Sequence, residues 1–210
     1  MKTPSDMVRN RLLSRWLGLN LICFAGAFVV IYLVAAAFPG PVLRVFAAWT
    51  SIMKGAGAKT AAELASPWDA LTHILARNTL SAAVCLLLGL VAQGPLIMVL
   101  LGGFHAMVAS LAPITLGRAL AASDWVLLGV EALPLAIAAA LGSSLATDLF
   151  GLQPNVRGLR EYWRTNWKRL FPQAKKGWRH LLRDWWRETL LAGTAIPGLL
   201  VLAAWVEVAW

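Results

Sequence analysis

The chain has 210 residues, of which 59% are hydrophobic and 14% charged, and its mean hydropathy is +0.67. This composition excludes an ordinary soluble domain, because several uncharged runs approach or exceed the ~20 residues that cross a ~30 Å hydrocarbon core as a helix. The net charge of +9 lies mostly in two basic blocks beside such runs, which favours cytoplasmic loops of a membrane protein over a surface that binds nucleic acid.

The first apolar run predicts an uncleaved membrane anchor. A basic segment, residues 1–15, precedes it and is expected in the cytoplasm, and the span itself is predicted over Trp16 to Phe38. Pro39-Gly40-Pro41 then ends the helix, since proline does not continue one easily. Apolar residues return at helical spacing between residues 42 and 66, which predicts an amphipathic helix on the outer surface of the membrane.

The segment from Arg77 to Ala121 has enough apolar residues for two further spans, and the turn between them has two candidate positions. Gln93-Gly94-Pro95 is preferred to Gly102-Gly103, because proline favours the first helical position and pushes the residue before it out of the helical conformation. With the turn at the first position, His105 lies in the middle of the membrane. The small residues around it then favour close helix packing: Gly102, Gly103, Ala106 and Ser110.

A histidine in the middle of a membrane has two interpretations. His105 is expected to be a hydrogen-bonded packing residue, and the weaker alternative is a ligand of haem or chlorophyll. No other cofactor and no metal site are predicted. No catalytic residue is predicted either, because the sequence has no paired-carboxylate motif, nucleophile elbow or glycine-rich phosphate loop.

Two later runs, Trp125 to Thr147 and Thr189 to Trp210, complete five predicted spans. With the N-terminus inside, an odd number of spans places the C-terminus outside and leaves both basic blocks on the cytoplasmic side. The expected fold is therefore all-α, an integral membrane bundle of about five transmembrane helices with interfacial amphipathic helices. The expected location is a bacterial or archaeal cytoplasmic (inner) membrane.

The segment 151–188 combines tryptophan with arginine and lysine, and Pro172 divides it into two short amphipathic stretches. Indole rings favour the membrane interface and cations favour anionic lipid, so two helices lying in the headgroup layer are expected. The alternative is a docking surface for an acidic cytoplasmic partner. The residues expected at this surface are Trp163, Trp167, Trp178, Trp185, Trp186, Arg164, Lys168, Arg179 and Arg183.

Ionisable side chains inside the predicted spans form another candidate site. Glu131 lies about six residues inside the fourth span, where an ionised carboxylate costs on the order of 3 kcal/mol unless it is paired or hydrated. The predicted topology places four other polar residues in the same outer half of the membrane: Arg77, Asn78, Arg118 and Glu207. We expect one polar cluster in which Arg77 or Arg118 neutralises Glu131. The alternative is that each side chain reaches the interface separately, or that Glu131 is protonated.

Three stretches resemble the stage II sporulation protein M family of multi-pass membrane proteins: residues 74–110, residues 129–146 and the terminal LLVLAAWVEVAW. The positions that resemble the family's motifs are Asn78, Gly103, Gly129, Glu131, Pro134 and Glu207. The resemblance implies an integral membrane scaffold, since the sporulation protein of this family holds peptidoglycan-degrading enzymes at the engulfing membrane.

The predicted function is a non-catalytic integral membrane scaffold or accessory subunit that organises a larger membrane protein complex. Catalytic motifs are missing, soluble loops are small, and many Gly and Ala positions suit helix packing. The expected partners are other integral membrane proteins and anionic lipids, and no nucleic acid. The alternative is a permease-like component of an ATP-driven transporter, in which Glu131 would line a substrate path. Five spans would then have to dimerise to enclose a pathway, so a homodimer is expected in that case.

Overall fold

A computed structural model describes residues 4–55, 66–152, 159–167 and 185–209. Within these ranges the chain forms helices and no strand. Their bounds are α1 Pro4–Ala37, α2 Pro39–Gly55, α3 Pro67–Leu90, α4 Gly94–Thr115, α5 Ala122–Phe150, α6 Leu159–Trp167 and α7 Trp186–Ala209. Five of them, α1, α3, α4, α5 and α7, are long and apolar enough to cross a membrane. The prediction of an all-α, multi-pass membrane bundle is therefore confirmed.

The first two helices meet at the predicted proline break. Only Phe38 separates α1 from α2, and Pro39 is the first residue of α2. The amphipathic helix thus begins three residues earlier than predicted and is described as far as Gly55, since residues 56–65 lie outside the described part of the chain. Ser66, its predicted last residue, is instead the N-cap of α3. α1 already begins at Pro4, so most of the basic N-terminal segment belongs to the same helix as the first span.

The start of α3 corrects the sequence prediction by ten residues. Ser66 caps the helix, because its hydroxyl accepts a hydrogen bond from the Asp69 amide at 3.1 Å, and Pro67 is the first helical residue. Arg77 and Asn78 therefore lie inside α3 rather than at its beginning. The charge of Arg77 suggests a boundary of the span, whereas the cap sets the boundary of the helix.

The turn between α3 and α4 lies at the preferred position, over residues 91–93, and Pro95 falls in the first turn of α4. Ala92 has a positive φ of 60°, a conformation that alanine rarely adopts. The hydroxyl of Tyr162 in α6 donates a hydrogen bond to the Ala92 carbonyl at 2.7 Å. Burial raises the pKa of Tyr162, so this hydroxyl remains a donor at neutral pH.

The first four long helices pack as two parallel pairs, and the members of the two pairs alternate in chain order. α1 lies along α4 and α3 lies along α5, while α7 covers α5 and α3. The α3–α5 crossing brings the two backbones into direct contact at Gly89 and Gly142. A Cβ added to Gly142 would overlap the Leu86 carbonyl and lie 3.1 Å from the Gly89 Cα atom. Glycine is thus required at this crossing, as in other close helix contacts in membranes.

We call the end of the bundle at which α1 begins the proximal end, and the opposite end the distal end. Two buried tryptophans connect elements at the proximal end. Trp16 of α1 donates its indole N–H to the Thr147 hydroxyl of α5 at 2.9 Å, and Trp185 donates to an Asp148 carboxylate oxygen at 2.6 Å. One end of the bundle therefore contains the start of α1, the start of α7, the end of α5 and all of α6.

Replacement of Gly142 by alanine should separate α3 from α5. We expect a loss of about 1–3 kcal/mol in stability, because the added methyl group meets backbone rather than a movable side chain. A Cβ added to Gly129 on the same helix would have no atom within 4 Å, so Gly129→Ala is the matched control and should be neutral or slightly stabilising. Thermal unfolding in detergent, followed by size-exclusion chromatography, measures both. Equal melting temperatures for the two variants would contradict the crossing.

Candidate functional site in the membrane core

Three charged or titratable side chains from three helices meet inside the bundle. One carboxylate oxygen of Glu131 in α5, Oε1, lies 3.8 Å from Nη2 of Arg77 in α3. The other, Oε2, lies 3.9 Å from Nε2 of His105 in α4. The Glu131 carboxylate thus lies between a guanidinium group and an imidazole ring. We call Arg77, His105 and Glu131 the core site.

The three residues lie at matching depth. Each is about ten residues from the distal end of its helix, which is ~15 Å at a rise of 1.5 Å per residue. The burial of the side chains differs, because His105 is 8% exposed, Glu131 20% and Arg77 42%. Charge in such a place is costly unless it is paired, and marks a functional site by default.

Asn78 joins the core site through Arg77. Its side-chain carbonyl accepts a hydrogen bond from Nε of Arg77 at 3.3 Å. Its Nδ2 atom is buried and has no hydrogen-bond partner among the described residues. A buried amide N–H of this kind is a donor available to a ligand or a water molecule.

Arg118 does not take part in the core site. Its guanidinium group binds both carboxylate oxygens of Asp124, at 2.6 and 3.2 Å, near the distal end of the bundle. This bidentate pair raises the pKa of Arg118. The two residues are close in sequence, so a local partner replaces the predicted distant one. The side chain of Glu207 lies outside the described residues, although its backbone belongs to α7.

His105 is held by contacts on both sides of its ring. Nδ1 lies 2.8 Å from the carbonyl oxygen of Leu101, one helical turn back. The ring packs edge-on against Phe24 of α1, with centroids 5.4 Å apart. Nε2, the nitrogen left to bind a metal, faces the Glu131 carboxylate. The alternative of a haem or chlorophyll ligand at His105 stays a prediction.

The small residues around His105 lie where α4 packs against α1. A Cβ on Gly102 would overlap the Phe24 carbonyl of α1, and Ala106 is fully buried. Gly103 has more room, since a Cβ atom added there would lie 3.5 Å from the Ile31 side chain. Ser110 is half-buried and bonds back to the Met107 carbonyl at 3.3 Å. The glycine closest to α1 allows the approach that brings Phe24 onto the His105 ring.

The tryptophan-rich segment is described only in part. Trp186 and Arg164 are exposed, as a surface role requires. Trp185 is fully buried, so the prediction that it lies at the membrane surface is wrong; its partner Asp148, near the end of α5, holds it in the core. The backbones of Trp163 and Trp167 belong to α6, but their side chains lie outside the described part. So do four further residues: Lys168, Trp178, Arg179 and Arg183.

Some buried polar residues were not predicted from the sequence. Asn20 of α1 is fully buried, and neither atom of its amide has a partner among the described residues. Ser143 of α5 lies nearby, since an added methyl group on Gly94 would meet the Ser143 hydroxyl at 2.7 Å and the Asn20 side-chain oxygen at 3.5 Å. The sequence did contain a signal for this buried polar residue, because Asn20 is a single asparagine within the apolar first span. His105 was likewise expected to pack, but not to be a partner of Glu131.

An apolar groove of about 730 Å³ runs between α1 and α4, on a face of α4 adjacent to the core site. α1 and α4 form its walls, Tyr162 of α6 lines it toward the proximal end and Val45 of α2 toward the distal end. Small residues lie in its middle, at Gly26 and Ala27 on α1 and at Gly103 on α4. We call this the α1–α4 groove. Backbone is therefore accessible to an apolar ligand in the middle of the groove.

Comparison of the chain with protein-family models, with curated proteins and with solved structures gives no match. The resemblance to the stage II sporulation protein M family therefore stays a prediction. Within the described residues, no group of three or more histidine, cysteine or acidic side chains could hold a metal ion.

Replacement of Arg77 by methionine tests the ion pair. The change removes the positive charge 3.8 Å from Glu131, so we expect a loss of about 1–3 kcal/mol, less than for a fully buried pair because Arg77 is partly exposed. A second change, Glu131→Gln, should restore much of the loss, because the carboxylate charge is then gone. Thermal unfolding of the single and double variants in detergent measures the coupling.

Arg118→Met is the matched control for this cycle. It removes an arginine from an exposed pair at the distal end, so the melting temperature should change little. If Arg77→Met and Arg118→Met lower the melting temperature equally, the core site contributes no special stability.

Proposed function

We propose that the protein is a non-catalytic integral membrane subunit whose α1–α4 groove receives a transmembrane helix of another membrane protein in a larger complex. The groove carries this proposal. An apolar surface alone suits lipid, but this one is concave and has glycine and alanine in its middle, which let a second helix backbone approach closely. α1 also buries only 11% of its apolar window within the chain, against 56% for α5.

A photo-crosslinking amino acid at Val30 tests the occupant in native membranes. Val30 lines the groove and is exposed, whereas Leu191 on α7 is equally apolar and exposed but lies outside the groove. We expect one stoichiometric protein adduct from Val30 and none from Leu191, with the crosslink mapping to a transmembrane segment. Lipid adducts alone from Val30 would refute helix docking, and adducts between two copies of this chain would make it a homodimer interface instead.

Filling the groove should abolish that adduct. Gly26→Leu places a side chain in the groove without meeting any atom of the chain within 4 Å of the Cβ position. Gly18→Leu on the same helix is equally free of contacts but does not line the groove, so it should leave the adduct intact. Unchanged crosslinking in the Gly26 variant would show that the occupant does not pack into the groove.

The proposed location is a bacterial or archaeal cytoplasmic membrane, with the proximal end in the cytoplasm. The positive-inside bias supports this orientation, because Arg11 and Arg15 near the start of α1 and Arg164 in α6 flank the proximal end. The tryptophan-rich segment would then meet the anionic lipid of the cytoplasmic leaflet. α2 would begin at the outer side of the membrane, and its Phe46 and Trp49 side chains pack on Phe104 of α4.

Cysteine labelling tests this orientation in a background with Cys23→Ala and Cys85→Ala. With an impermeant maleimide on intact cells, we expect Ser51→Cys in α2 to react and Arg164→Cys in α6 to react only after the membrane is opened; both positions are exposed. The reverse result would invert the orientation. Labelling of both positions from the same side would contradict the three crossings by α3, α4 and α5 that separate them.

A second candidate function, a permease-like component of an ATP-driven transporter, is favoured by the core site. Paired charges near the middle of a membrane often mark a substrate or ion path. The Glu131 side chain is 20% exposed, so it is not fully enclosed by the bundle. Copurification of an ATPase in place of an integral membrane partner would favour this function over the subunit.

A further inference from the structure

The hydrogen bond on one side of the His105 ring determines which nitrogen carries the proton. Nδ1 lies 2.8 Å from the Leu101 carbonyl oxygen, and a carbonyl oxygen only accepts hydrogen bonds. Nδ1 must therefore be the donor. In the neutral ring the second nitrogen, Nε2, then carries a lone pair, and Nε2 lies 3.9 Å from a Glu131 carboxylate oxygen.

The facing pair of His105 and Glu131 has no donor when the ring is neutral and the carboxylate is ionised. Nε2 and Oε2 are both acceptors in that state, and they are 3.9 Å apart, longer than a hydrogen bond. One added proton changes this, because it turns the pair into a charge-assisted donor and acceptor. Arg77, 3.8 Å from the other oxygen, favours the ionised carboxylate and so leaves the proton to the imidazole side.

The helices packed around His105 present mainly aromatic rings, apart from the core site itself. α1 contributes Phe24, an aromatic edge. α2 packs on α4 through Phe46 and Trp49, which contact Phe104, while its Arg44 is exposed. Among the described side chains of α3 and α5, the charged or titratable groups near His105 are Arg77 and Glu131, with His73 one turn further toward the distal end. α7 packs against both helices, and the side chain of its Glu207 lies outside the described residues.

We propose that His105 and Glu131 form a proton-binding site inside the membrane, with Arg77 as the group that keeps the carboxylate charged. A hydronium ion delivers the proton and leaves as water, and the Nε2 lone pair forms the new N–H bond. The summed charge of the three side chains rises from zero to plus one. Arg77 and Glu131 are partly exposed at the surface of the bundle whereas His105 is almost fully enclosed, so the proposed path of the proton to His105 passes these two side chains.

Proton binding also has a mechanical consequence. A charge-assisted N–H···O bond is about 2.7–2.9 Å long, so uptake of the proton should draw Nε2 and Oε2 together from 3.9 Å. α4 and α5 carry the two groups and would move toward each other at this depth. The site goes beyond the proposed subunit function and holds whether or not a partner helix occupies the groove.

Nitrogen NMR of ring-labelled histidine in lipid nanodiscs tests the site in the full chain. The three histidine signals are assigned by removing His73 or His180 in turn. At pH 8 we expect His105 as the neutral tautomer with the proton on Nδ1, and on acidification a single step in which Nε2 becomes protonated. A proton on Nε2 at pH 8, or a ring still neutral at pH 4, would overturn the proposal in the unaltered protein.

The partner is tested by Glu131→Gln, which keeps the shape of the side chain and removes its charge. We expect the proton-binding constant of His105 to fall about tenfold or more, because the anion that stabilises the imidazolium is lost. Arg77→Gln should raise the constant, since a repelling cation is removed. Arg118→Gln, which affects only the distal pair with Asp124, should leave it unchanged. An unchanged constant in the Glu131 variant would show that the two residues do not share a proton.

The two proposals fail separately. Loss of the crosslink from the groove with normal titration of His105 would refute the subunit function and leave the proton site. Normal crosslinking without titration of His105 would refute the proton site and leave the subunit function.

Discussion

Backbone contact at glycine is the constraint on which the rest of this structure depends. α3 and α5 are parallel and touch where Gly89 meets Gly142. Glu131 lies eleven residues before Gly142, and Arg77 lies twelve residues before Gly89. The glycine contact and the Arg77–Glu131 contact are therefore separated by nearly the same distance, about three turns, on both helices. The register that the glycines allow is the register in which the guanidinium group reaches the carboxylate.

The α4–α5 pair shows the same matching in the antiparallel direction. Toward the proximal end Gly94 packs against Ser143, and toward the distal end His105 faces Glu131. The intervening stretches, eleven and twelve residues long, match again. One alignment of two helices thus accounts for both contacts. Because packed helices fit in discrete ways, a one-residue slip would separate the charged groups as well as the small ones.

Much of the architecture could be predicted from hydrophobicity and proline alone. The five spans, the break at Pro39 and the turn before Pro95 all follow from local chemistry, since each depends on a few neighbouring residues. The start of α3 could not be placed in this way, because a charged residue such as Arg77 ordinarily marks the water boundary. The Ser66 cap shows that the helix continues ten residues further toward the distal end. Arg77 and Asn78 consequently lie deeper than expected.

The core site was only partly predictable, because its pairing depends on helices that are not neighbours in sequence. Arg118 illustrates the limit: sequence topology placed it and Glu131 in the same half of the membrane, but Asp124 was nearer along the chain and binds it. His105 illustrates the opposite case. Its depth was predicted, but its partner depended on the rotation of α4, which the contact of Gly102 with Phe24 determines.

The groove and the core site lie on adjacent faces of α4, so what happens at one should affect the other. Phe104 lines the groove, and its ring stands perpendicular to the His105 ring with centroids 6.1 Å apart. Phe46 of α2 stacks on the same Phe104 ring. A helix that enters the groove would press on Phe104 and thereby on the imidazole that faces Glu131. Thermodynamic reciprocity then requires that any change in proton affinity caused by the occupant equal the change in occupant affinity caused by the proton. If the groove receives a helix as proposed, the Phe104 ring is the contact through which the entry of that helix would reach the imidazole of the core site.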